Sequence, residues 1–164
     1  MDEVKLNLGA GQTYLPGFCN IDVCPWADVQ LDFGTDRLPF EDSSVDCVFS
    51  HHTLEHVPDY LHILGEIHRI LRHGGRLLVG LPYVTSTKYH LVNPYHLHNF
   101  NEFSFDFFRN QRAAMPPLFG AGMGPIAFDY GQRSFRIAPS LDEAEARSLI
   151  TILAERLPRA VREL

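Results

Sequence analysis

The chain has 164 residues, 45% of them apolar and 21% charged, and a formal net charge of −6. Those totals suit a globular domain with its own core and exclude a disordered chain. The negative balance, with no run of Lys or Arg, argues against broad contact with nucleic acid or an anionic membrane. The acidic opening MDEVKLNLG enters structure at once, and no apolar run reaches membrane-spanning length, so neither a targeting peptide nor a spanning helix is expected. Cys19, Cys24 and Cys47 form no CxxC pair, which reads as reduced thiols in a cytoplasmic protein.

The apolar pattern predicts short strands over residues 4–8, 18–23, 28–31, 45–50 and 76–81. Each run is brief and almost continuously apolar, as in strands covered on both faces. Between the fourth and fifth, Pro58 and Asp59 open a helix that Gly74-Gly75 ends, with Leu61, Leu64, Ile67, His68 and Leu71 as its buried stripe. Strand, helix, strand makes a right-handed parallel crossover. Residues 11–18 and 24–27 leave almost no room for the helices that such crossovers ordinarily use. The first half is therefore expected to be pared down and one sheet face thinly covered, which favours a partner subunit, a homodimer.

Residues 82–100, rich in Tyr, His, Asn and Pro, read as a long loop of the kind that often carries function. A helix is expected over 101–108, a loop over 109–125, two strands over 126–130 and 134–137, and a last helix opening at the capping box Ser140-x-x-Glu143. The whole reads as a single domain over 1–164: a cofactor-binding half to residue 81, a loop or lid with a helix over 82–125, and late strands with a C-terminal helix over 126–164.

Leu6-Asn7-Leu8-Gly9-Ala10-Gly11 runs a strand into a turn of small residues, whose backbone N–H groups can approach a ligand. It is not the dinucleotide fingerprint, because Tyr14 stands at the third glycine position. Asp22 closes the second strand, where a carboxylate can accept both hydroxyls of a ribose. Asp32 closes the third, where it can accept from an adenine amine. Ligands of open α/β sheets sit beyond the carboxyl ends of the strands, and all three features lie at such ends.

LNLGAG, NID and LDF, followed by LPFEDSSVDCVFSHHTLEHV and LRHGGRLLVGLP, resemble the class I S-adenosylmethionine-dependent methyltransferases over residues 5–108. The chain departs from common family members at Ala10, often Cys, and at His73, often Pro. The resemblance implies a three-layer α/β, Rossmann-like fold with a mostly parallel sheet and reduced helices in its first half. It also implies S-adenosylmethionine as cofactor and methyl transfer to a small-molecule acceptor. On that map the Gly9, Ala10 and Gly11 backbone faces the amino-acid end of the cofactor. Asp22 holds the ribose, Val23 flanks the adenine, and Asp32 with the Phe33 backbone meets it. Ser50 and His51 lie near the sulfonium.

Methyl transfer is an in-line displacement that needs alignment and, for a hydroxyl or amine acceptor, a base. His96, within Asn93-Pro94-Tyr95-His96-x-His98, is the first candidate and His52 the second. Tyr83, Tyr89 and Tyr95 can wall an acceptor pocket. Two other readings stay open. One is a zinc hydrolase on His52-x-x-Glu55-His56, the spacing of an inverted zinc-peptidase motif on a helix. The other is a protein that keeps the cofactor pocket without turnover. No third ligand is readable at a fixed spacing, so no metal site is assigned.

Overall fold

The structure, a computed structural model, describes residues 3–86, 90–101, 104, 105 and 108. Five strands, β1 (Lys5–Leu8), β2 (Cys19–Asp22), β3 (Val29–Gln30), β4 (Val45–His51) and β5 (Leu71–Gly80), form one sheet in the order β3-β2-β1-β4-β5. Every pairing is parallel. The sheet grows one way from β1 to β3 and the other way from β4 to β5, so its switch point lies between β1 and β4. This is the α/β, Rossmann-like architecture expected, with reduced helices in the first half: residues 9–18 and 23–28 join parallel neighbours with no helix.

Two asparagines do the work of the missing helices. Asn7 and Asn20 stand opposite each other on β1 and β2, both buried. Asn7 Nδ2 donates to Thr13 O and to Asn20 Oδ1, each at 2.9 Å. Asn20 Oδ1 also accepts from Leu15 N at 2.8 Å, while Asn20 Nδ2 donates to Leu15 O, Phe18 O and Asp28 Oδ2 at 3.0–3.1 Å. The loop backbone that a helix would have satisfied internally is satisfied by these amides.

The helix α1 (Tyr60–Ile70) links β4 to β5. Asp59 caps it, accepting from His62 N at 3.0 Å. Its buried residues are Ile63, Leu64, Ile67 and Ile70. The expected stripe is thus rotated: Leu61, His68 and Leu71 are only partly buried. Both rows are apolar, and the helix ends at Ile70, so Leu71 already belongs to β5. That strand begins earlier than expected. Leu71 pairs with Val45 and Arg76 with Cys47, so residues 72–75 bulge from the ladder at the double glycine, where Gly74 takes φ +75°.

Strand side chains alternate between faces. Leu6, Leu8, Ile21 and Val48 pack against the α1 row together with Leu38, Leu54, Val57, Phe100 and Phe108. The opposite face carries Asn7, Asn20 and Phe49. Among the described residues its apolar cover is a small cluster of Leu15 and Phe49 with Phe18 and Leu78. No helix among the described residues is long and apolar enough to cross a membrane. Half of the helix expected over 101–108, residues 102, 103, 106 and 107, falls outside the described residues, and the late strands and C-terminal helix fall wholly outside them.

Candidate functional site

The carboxyl ends of β2, β1 and β4 lie side by side, with Leu8 level with Ile21 on one side and Ser50 on the other. Gly9 N donates to Ile21 O at 2.9 Å, which bends the chain over the tip of β2. Two residues on, Gly11 N donates to Asp22 Oδ2 at 2.8 Å, and the other oxygen of Asp22 accepts from Cys24 N at 3.0 Å. Trp26 Nε1 donates to Gly11 O at 2.7 Å. The turn is therefore clamped from both sides, by a carboxylate on its amide and an indole on its carbonyl. Gly9 and Gly11 both take positive φ, +70° and +52°. Gly9 is also crowded: a Cβ there would come within 2.0 Å of Thr53 Oγ1. Thr53 follows β4, so the glycine turn and the HHTLEH segment pack directly together. Ala10, between the glycines, is buried.

Val23 stands 57% exposed beside this turn. Asp32 lies just beyond β3, where Leu31 N donates to Asp22 O at 2.9 Å. It is exposed, and one of its oxygens accepts from Gly34 N at 2.9 Å. The Phe33 ring is buried in the core. Ser50 is buried, and its Oγ has no hydrogen-bond partner among the described residues. His51 packs against Gly80 so closely that a Cβ on that glycine would meet its Cδ2 at 2.3 Å. Burial pushes the His51 imidazole down from 6.5 to about 4, and neighbouring His52 pushes the same way, while Glu55 opposes them.

The HHTLEH segment is not helical. Residues 52–59 form bends and turns, with His52 at φ +51° and His56 N donating to Thr53 O at 2.9 Å. His52 and His56 are thus not one helical turn apart, which removes the basis of the inverted zinc-peptidase reading. Instead His52 Nδ1 lies 2.9 Å from Oε1 of Glu55, a carboxylate with 0% exposure. His52 N donates to Gly80 O at 2.9 Å, fixing the segment against β5.

His96 sits in a second histidine group. Its Nδ1 lies 3.1 Å from His90 O and 3.2 Å from His90 Nδ1, and its Nε2 lies 3.1 Å from Asn93 Nδ2. His90 Nε2 in turn lies 2.6 Å from Asn99 Oδ1. The His96 side chain is 5% exposed, and burial holds its pKa below the usual imidazole value. The loop bearing it is tied to the turn after β4 at three points. Leu97 N donates to Glu55 O at 2.7 Å, His56 Nδ1 lies 3.1 Å from Tyr95 O, and His98 Nε2 lies 2.8 Å from Val57 O. Tyr83 and Tyr95 are exposed, while Tyr89 falls outside the described residues. An open depression of about 480 Å³ beside Arg37, Phe40 and Arg69 lies near the amino end of β4, away from the glycine turn.

Sequence reasoning did not find Thr53, Trp26 or His90. Thr53 stands inside a stretch already singled out for its histidines. An isolated Trp in a tight loop is a weaker signal, and nothing in the sequence marks His90 as the partner of His96.

Residues 23–79 match a methyltransferase-domain family. A segment of 59 residues is 49% identical to an uncharacterized 37.1 kDa protein in transposon TN4556 of Streptomyces fradiae, covering 35% of this chain and 16% of that protein. A segment of 44 residues is 44% identical to 27-O-demethylrifamycin SV methyltransferase of Amycolatopsis mediterranei, covering 27% of this chain and 16% of that enzyme. The matched part thus spans less than a fifth of the length of either relative. A solved structure, the YcgJ protein of Bacillus subtilis, shares 18% identity at a TM-score of 0.49 over 64% of this chain and 59% of that one. The domain match runs from the end of β2 through β3, β4 and α1 into β5 of the all-parallel sheet, so this part of the chain is similar to a methyltransferase domain.

Proposed function

We propose that the chain binds S-adenosylmethionine across the carboxyl ends of β1, β2 and β4 and transfers its methyl group to a small-molecule acceptor. The observation that carries the reading is the meeting of the glycine turn and the β2 carboxylate, Gly11 N to Asp22 Oδ2 at 2.8 Å, at the switch point of the sheet. Each carboxylate oxygen offers two lone-pair directions. Asp22 therefore keeps acceptor capacity for ribose hydroxyls after the Gly11 and Cys24 amides are served. Exposed Val23 and Asp32 suit an adenine lying along the tips of β2 and β3, with the Phe33 backbone beside it. The Gly9–Gly11 backbone suits the amino-acid end.

When bound, S-adenosylmethionine supplies an electrophilic methyl carbon on a sulfonium. Ser50 and His51 lie on the strand that ends beside the glycine turn, and a neutral His51 adds no positive charge near that cation. The base role goes to His52 rather than to His96. With Nδ1–H directed at the buried Glu55 carboxylate, His52 has Nε2 without a partner among the described residues and available to take the acceptor proton, and the carboxylate stabilises the imidazolium formed. His96 is more enclosed, with both ring nitrogens already engaged. A small acceptor accords with the net charge of −6 and with the name of the Amycolatopsis relative.

The test uses Trp26, the single tryptophan, whose indole touches the glycine turn. Titration with S-adenosylhomocysteine should change its fluorescence, and calorimetry should show that Asp22→Ala weakens binding by ~1–3 kcal/mol. Unchanged affinity in Asp22→Ala would remove the reading. Turnover is read separately, as S-adenosylhomocysteine released over an acceptor panel. Loss of that release in His52→Gln with cofactor affinity kept would support the base assignment.

A further inference from the structure

We propose that Glu55, His56 and His96 form a binding site for one divalent transition-metal ion of the zinc class, fastening the loop over 90–101 to the turn that follows β4. One ligand atom from each of the three residues lies within 4.8 Å of the other two. His96 Nε2 is already 3.9 Å from Glu55 Oε1. A tetrahedral zinc ion with bonds of ~2.0–2.1 Å holds its ligand atoms about 3.4 Å apart, so modest side-chain rotations close the site.

Three further observations point to a ligand. Glu55 is 0% exposed, and while its Oε1 meets His52, its Oε2 has no hydrogen-bond partner among the described residues. A buried carboxylate oxygen left unpaired is costly, and a cation satisfies it. Both histidines have Nδ1 set against a backbone carbonyl, His56 on Tyr95 O at 3.1 Å and His96 on His90 O at 3.1 Å. With Nδ1–H on that carbonyl, each ring has Nε2 left as the donor atom for a metal, the arrangement that outer partners give metal-bound histidines. The donor set, two imidazoles and a carboxylate, suits zinc-class ions and leaves a fourth position for water. Among the described residues, the contact that the ion displaces is that of the Asn93 amide on His96 Nε2. This set differs from the spacing motif in the sequence: His52 serves Glu55, and His96 comes from a distant loop.

The experiment uses the full chain freed of metal by chelation and titrated with Zn²⁺ by calorimetry and with Co²⁺ by visible absorption. One equivalent should bind, and the Co²⁺ spectrum should show low-symmetry, four- or five-coordinate bands. His56→Ala should weaken binding by more than the roughly 10–100-fold lost with an outer partner. His73→Ala, at an exposed position in the 72–75 bulge, should bind like the parent. Metal should also slow hydrogen exchange at the Leu97 amide, which donates to Glu55 O at 2.7 Å. No uptake by the parent chain, or equal uptake by His56→Ala, would overturn the site. If His56→Ala does not fold, the parent titration and the Leu97 exchange decide alone: uptake that leaves Leu97 exchange unchanged overturns the site as well.

Discussion

Gly9 is a glycine for two separate reasons. Its φ of +70° disfavours any side chain, and Thr53 occupies the space a Cβ would need. Gly11 has only the first reason, since among the described residues nothing beyond its chain neighbours lies closer than 4.0 Å to its missing Cβ. The two substitutions should therefore differ. Gly9→Ala is expected to cost about 2–4 kcal/mol in urea unfolding and Gly11→Ala about 1 kcal/mol, the range for left-handed backbone strain alone. Adding Thr53→Gly to Gly9→Ala should recover part of the loss in a double-mutant cycle, because it removes the clash and leaves the strain. Equal costs at the two glycines would show that the Thr53 contact is unimportant. The sequence announces the G-x-G turn and the strand-end acids, because their chemistry depends on residue type and local order. It cannot announce that Thr53 fills the space above Gly9, which depends on β4 lying next to β1.

At the scale of elements, the strands are legible because each is a compact apolar run, and the missing helices are legible from the short gaps between them. What replaces those helices is not. Asn7 and Asn20 read as polar interruptions in β1 and β2, yet they hold the loop over 9–18 against the sheet. Asn20→Leu should be strongly destabilising, although leucine suits a buried strand position. It leaves the Leu15 amide and the Asn7 side chain without their Asn20 acceptor, and the Leu15 and Phe18 carbonyls without their donor. At ~1–3 kcal/mol for each buried group left unsatisfied, the loss should reach at least ~3 kcal/mol in urea unfolding. A loss under ~1 kcal/mol would mean that the loop finds water instead. The α1 stripe shows the converse limit. Rows through Leu61 and through Ile63 are both apolar, and only docking against the sheet selects the row that is buried.

Across the whole molecule, the histidines and carboxylates whose pKa values are lowered pull stability in one direction on the acid side of neutrality. His51 is held neutral by burial, from 6.5 down to about 4, and His96 is lowered by burial too. Asp28 is lowered chiefly by the Asn20 amide, and Glu66 chiefly by its hydrogen bonds from Arg69. In every case the unfolded chain binds a proton at a higher pH than the folded chain, so acid favours unfolding. The histidine part is fully present above pH 6.5 and is lost as pH falls toward 4, because unfolded His51 protonates there while folded His51 does not. The carboxylate part is lost only further down, as pH falls below the ordinary carboxylate values. Metal-free protein should therefore show urea midpoints that fall from pH 7 to pH 5 and fall again below pH 4.5. His51→Gln should flatten the upper step, leaving the His96 share, and should leave the lower one in place. Glu66→Gln should do the reverse, since Arg69 keeps Leu38 O, Phe40 O and Asp42 as partners when that charge is gone. An upper step of unchanged size in His51→Gln would show that His51 is not held neutral by the fold. The environment of the strand end would then be more open to water than the packing of His51 against Gly80 implies.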